Sequence, residues 1–85
     1  MAHVTHDLRS IPLWLLRDYL VDLGGQIEPD GDVAGQGWRG RLTRLEDFRI
    51  GSLRVGEVRL EISGEAEAIA RLEQALWPKL LRAGG

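Results

Sequence analysis

Eighty-five residues with 44% hydrophobic and 28% charged side chains make one domain, ordinary in composition, with room for a single core and no signature of disorder. The absence of cysteine removes disulfides, thiolate metal sites and cysteine nucleophiles together, and a net charge of −2 argues against a general nucleic-acid binder. No hydrophobic leader follows Met1 and nothing approaches the roughly 18 apolar residues of a spanning helix, which excludes a membrane role and gives the expectation of a cytoplasmic protein.

Residues 3–9, HVTHDLR, alternate: Val4, His6 and Leu8 share one face, and His3, Thr5, Asp7 and Arg9 the other. That is the pattern of a half-buried strand. Ser10 then reads as a helix N-cap with Pro12 in the first turn. Through IPLWLLRDYLVDL, Leu15, Leu16, Tyr19, Leu20 and Leu23 fall on one broad face at about 100° per residue, with Arg17, Asp18 and Asp22 opposite. Gly24-Gly25 ends this helix by admitting a left-handed backbone. Residues 26–37 are rich in turn formers, with a short strand expected near Ile27, a turn over Pro29–Asp32, and room for a second short strand around Val33.

From Trp38 the period becomes two. Trp38 and Leu42 point one way, and Arg39, Arg41 and Thr43 the other. Phe48, Ile50, Leu53, Val55, Val58, Leu60 and Ile62 are expected to face inward, with Gly51-Ser52 and Gly56-Glu57 shifting the parity between them. Three short strands separated by glycine turns predict an antiparallel meander. Residues 65–82 return to helical spacing, with Ile69, Leu72, Leu76 and Leu80 as the apolar stripe and Pro78 expected to kink or stop the helix near Trp77. Strand, helix, several strands, helix: this order predicts a single α+β domain over residues 1–85, a two-layer sandwich with two helices on one face of an antiparallel sheet.

The motifs that suggest chemistry lack its context. GQGWRG (Gly35, Gly37, Gly40) matches a dinucleotide fingerprint, but a loop precedes it and a strand pattern follows, so it reads as a turn entering a strand. EPDGD offers Glu28, Asp30 and Asp32, yet Ala34 stands where a third calcium-loop ligand belongs, so it reads as a solvated turn. His3 and His6 lie on opposite faces of their strand and do not converge on one metal. The chain's serines, Ser10, Ser52 and Ser63, assemble no nucleophile, base and orienter. No catalytic residue, metal or cofactor is therefore expected, and the domain is read as non-enzymatic.

Two surfaces remain. The outward sheet face collects Arg39, Arg41, Arg49, Arg54 and Arg59 among Asp47, Glu57 and Glu61, with a small positive excess. Arg39, Arg41, Arg54 and Arg59 are candidates to grip phosphate or carboxylate groups, which gives the alternative of an anion- or nucleic-acid-binding module, set against a solvated face of cross-strand pairs. On the first helix, Trp14 and Val21 lie beside Arg17, away from the leucine stripe, with Trp77 and Leu81 similarly placed on the second helix. Trp14, Val21 and Arg17 form a candidate partner surface, whether for a different protein or for a second copy of the chain, if packing of the helices does not bury them.

With the layout assembled, IPLWLLRDYLVDLGGQ, FRIGSLRVGEVRLEISGEAEA and the terminal RAGG resemble the small C-terminal domain of MoaD-related proteins, which follows a ubiquitin-fold sulphur carrier of the molybdenum-cofactor type. The resemblance covers roughly residues 11–85, and its most specific elements are Pro12, Trp14, Leu15, Leu16, Tyr19 and Leu20 ending at Gly24-Gly25, with the IGSL and ISGE turns. It implies a TATA-binding-protein-like β-α-β(4)-α fold and a role near a sulphur-carrier partner in molybdopterin cofactor biosynthesis. It brings no catalytic residues and, since fold alone does not fix function, no implication of DNA binding. No carrier domain stands before the matching segment in these residues. Gly84-Gly85 resembles a sulphur carrier's tail, but following a helical stripe that runs to Leu80, with Arg82 near its end, it reads as a helix stop.

Overall fold

The computed structural model describes residues 1–83, apart from the side chains of Phe48 and Ala83. Along the chain run β1 (Ala2–Arg9), α1 (Leu13–Asp22), β2 (Gln26–Ile27), β3 (Val33–Gly35), β4 (Trp38–Arg44), β5 (Phe48–Ile50), β6 (Leu53–Val55), β7 (Glu57–Gly64) and α2 (Ala66–Ala83). Five strands form an antiparallel sheet in the order β1-β7-β4-β3-β2, and β5 with β6 forms a separate hairpin. Both helices cover one face of the sheet, giving the expected two-layer α+β sandwich.

The core follows from alternation. Val58, Leu60 and Ile62 of β7, Trp38 of β4 and Val33 of β3 face the helices and are buried, against Leu16 and Leu20 of α1 and Ala68, Ile69, Leu72, Leu76 and Leu80 of α2. Gly35 is required here because Trp38, three residues on, lays its indole where a Cβ at position 35 would stand.

α1 begins later than the sequence suggests. Ser10 is not its cap: its backbone stands at φ 65°, and its N–H donates to Gly56 O at 3.0 Å, continuing the β1–β7 ladder. Ile11 then drops into the core at 5% exposure, and Pro12 becomes the N-cap without a side-chain bond. The carbonyl of Pro12 accepts from the N–H groups of Leu15 and Leu16, each at 3.1 Å. The other end follows expectation. Gly24 at φ 103° donates to Val21 O and Gly25 donates to Leu20 O, each at 3.0 Å, the paired bonds of a glycine-terminated helix.

Two further expectations are corrected. Pro78 does not stop α2, which continues to Ala83; Leu76 and Leu80, two residues to either side of it, are both buried, and Pro78 itself is exposed, so water can reach the carbonyl its ring leaves without a donor. The three strands expected over residues 48–62 do not form one meander, since β6 pairs with β5 and not with β7, and the four strands that the resemblance implies between the helices are too few. Six strands lie there, and β4 pairs directly with β7, from Trp38↔Gly64 to Arg44↔Val58. The β5–β6 hairpin is set apart, leaving Ile50 and Leu53 at 58% and 67% exposure rather than inward. Both edges of β7 are already occupied, by β1 and β4, so no backbone edge there can receive it. The terminal Gly84-Gly85 lies outside the described residues. No helix among them is long and apolar enough to cross a membrane.

Candidate functional site

The open face of the sheet is a lattice of paired charges. In β1 and β7 the register places Asp7 opposite Arg59, and Arg59 grips that carboxylate with both arms, Nε to Oδ1 at 2.9 Å and Nη2 to Oδ2 at 3.2 Å. Arg9 Nε meets Glu57 Oε2 at 3.4 Å across the same pair of strands. The Gln36-Gly37 turn sets Gly35 against Trp38 and Val33 against Gly40, which carries Asp32 opposite Arg41. Asp32 is buried at 5% exposure; it accepts from Arg39 Nε at 2.9 Å and from Arg41 Nε at 3.3 Å. Arg39 also reaches Asp30 at 3.0 Å and Glu28 at 3.5 Å.

These contacts set the local electrostatics. The Arg41 bond, with Arg39 adding to it, holds the Asp32 carboxyl below the ordinary carboxylate range against the opposing effect of burial. Arg59 holds Asp7 low in the same manner. In return Arg39, Arg41 and Arg59 are held more firmly protonated. The EPDGD segment is thus an arginine clasp: Asp30 Oδ1 accepts from the Asp32 N–H at 3.0 Å, shaping the turn so that all three carboxylates face Arg39 or Arg41.

The arginine candidates consequently divide. Arg39, Arg41 and Arg59 share the sheet face but are engaged by carboxylates. Arg54 stands on the β5–β6 hairpin opposite Arg49, so neither belongs to that face. With those two removed, acidic side chains outnumber arginines on the face and the expected positive excess disappears. Alternation could reveal the arginines; Asp7 and Asp32 were missed as their partners because only strand register identifies them.

The outer side of α1 is different. Trp14 is 61% exposed and Val21 38%, and neither packs into the core. Arg17 lies between them along the helix, half-buried, and its Nε is shut off from solvent with no hydrogen-bond partner among the described residues. The other flank of α1 is occupied by α2, where Lys79 stands over the Tyr19 ring at 5.4 Å and reaches Asp22 at 3.8 Å.

On β1, His6 turns inward and its Nε2 meets Glu73 Oε2 of α2 at 2.6 Å, with the Trp77 ring edge-on at 4.9 Å. His3 points to the opposite face and touches Thr5 at 3.2 Å. A cleft of about 460 Å³ opens between the end of α1, the Gln36-Gly37 turn and the first half of α2, with Glu65 and Arg71 among its lining residues. No group of three or more histidine and carboxylate side chains among the described residues converges as a metal site.

Comparison with known families shows that residues 4–85 match the archaeal MoaD-like protein family. No curated protein matches the chain significantly.

Proposed function

Because the chain belongs to the archaeal MoaD-like protein family, we propose that it is a cytoplasmic, non-enzymatic accessory domain that docks a MoaD-type sulphur carrier during molybdopterin cofactor biosynthesis. The observation that carries the site is the outer side of α1, where Trp14 is 61% exposed beside Val21 and the half-buried Arg17. Trp and Arg are residue types enriched in interface hot spots, and the exposed Val21 extends the apolar surface beside them. The TATA-binding-protein-like assignment belongs to the same proposal. It is supported by the strand–helix–strands–helix order around an antiparallel sheet, and it implies nothing about DNA.

Calorimetric titration of the chain with a purified MoaD-type carrier tests this reading. Binding is expected, weakened on the order of tenfold or more by Trp14→Ala. Absence of binding at high micromolar concentrations overturns it. So does a C-terminal thiocarboxylate found by mass spectrometry on the chain itself, which would make it a carrier rather than a carrier's partner.

A further inference from the structure

β1 ends the sheet on one side, paired with β7 alone. Two backbone bonds show how its polar groups divide. Ser10 N–H donates to Gly56 O at 3.0 Å, and Leu45 N–H donates to Glu57 O at 2.9 Å. Carried through the registers Arg9↔Glu57 and Arg44↔Val58, these place the even-numbered residues of β7 in hydrogen bonds with β1 and the odd-numbered ones with β4. Antiparallel bonding alternates along a strand, so the N–H and C=O groups of His3, Thr5 and Asp7 point away from β7, toward the border. Natural sheets blunt such edges with charged side chains, proline, bulges or very short strands. β1 has no proline or bulge over its eight residues, and its outward Asp7 is taken up by Arg59 of its own chain. Its inward polar residue, His6, is matched by Glu73.

Among the described residues, the helix above this border is unpartnered on the same side. Lys79 marks the flank of α2 that meets α1. Glu73, Trp77 and Leu81 lie along the other flank, with Trp77 against His6. Trp77 is 37% and Leu81 78% exposed. An open backbone edge and an apolar helix flank therefore lie together.

We propose that this border binds the same border of a second copy of the chain, β1 antiparallel to β1 about His6, forming a continuous sheet with the two α2 helices side by side. The border is self-complementary, as a two-fold interface requires. In the register centred on His6, Thr5 faces Asp7 of the second copy across the border and His6 faces His6 on the two-fold axis, so no carboxylate lies opposite a carboxylate. On the helix side Val4 faces Leu8, covering residues that one chain leaves half-buried. α1 takes no part, so Trp14, Arg17 and Val21 stay open to a carrier, and this proposal does not rest on the carrier reading.

Sedimentation velocity over a concentration series, with amide hydrogen exchange, tests the dimer. The wild-type chain should sediment with twice its 9.5 kDa mass, and the Thr5 and Asp7 amides should exchange slowly although one chain gives them no acceptor. Leu81→Glu changes an exposed residue, keeps the helical circular dichroism, and should weaken association on the order of tenfold and release those amides. Thr5→Pro should weaken it as well, since it removes an outward donor and none from the β7 ladder. Trp14→Ala should leave association unchanged. A wild-type chain that stays monomeric at its highest soluble concentration overturns the proposal. A dimer that survives Leu81→Glu with fast Thr5 and Asp7 amides, or one lost in Trp14→Ala, overturns it too.

Discussion

β4 with β7 and β5 with β6 are two antiparallel pairs cut from the same 27-residue stretch, residues 38–64, and both alternate apolar with polar side chains. In the first pair Leu60 and Ile62 are wholly buried, while in the second Ile50 and Leu53 are mostly exposed. The sequence pattern that makes a strand is the same in both. What separates them is access to a sheet edge: β7 is held by β1 and β4, and β4 by β7 and β3, so the short hairpin is left to pair with itself. Alternation reports a strand, and the free edges elsewhere in the fold decide which sheet the strand can join.

Substitutions in the two pairs should therefore differ sharply. Leu60→Ala removes a side chain with no exposure and is expected to cost about 2–5 kcal/mol in urea unfolding. A loss under about 1 kcal/mol would show that the β7 side of the core is looser than its packing indicates. Next in size is Asp32→Ala, which deprives Arg39 and Arg41 of their shared buried acceptor; a loss of about 1–3 kcal/mol is expected by the same measurement.

Asp32 also predicts a pH dependence. Its folded carboxyl is held below the ordinary value of 3.8, so the unfolded chain takes up the proton first. The clasp's stabilisation is fully present above that ordinary value and is lost as pH falls toward and through the lower folded value. Acid unfolding followed by circular dichroism should show this steepening, and Asp32→Asn should flatten it. An unchanged acid profile in that variant would break the link. The smallest effect belongs to the hairpin: Leu53→Ala, at 67% exposure, should alter stability by no more than about 0.5 kcal/mol. A loss comparable to that of Leu60→Ala would mean the hairpin is covered in solution.

The candidate surfaces were legible to different degrees for similar reasons. Trp14, Arg17 and Val21 could be placed on one side of α1 from helical spacing, yet their exposure depended on where α2 packs. The arginines of β4 and β7 were visible as an outward set, but their charge was not, because Asp7 and Asp32 enter only through strand register. Ser10 misled because an N-cap residue type just before an apolar run looks alike whether it caps a helix or extends a strand ladder. Pro78 left a kink and a stop both open, because local backbone preference cannot weigh the burial of Leu76 and Leu80, which carries the helix past it.

The sequence by itself determined the α+β class, the two helices and the alternating strands, since these rest on side-chain periodicity and on glycines that end a helix or turn a chain. The tertiary structure alone decided that β4 joins β7 across an excluded hairpin, that the arginines are neutralised, and that β1 is left with an open edge. Those outcomes depend on competition between distant segments for the same backbone hydrogen bonds and the same apolar face, and no local window of sequence contains both competitors.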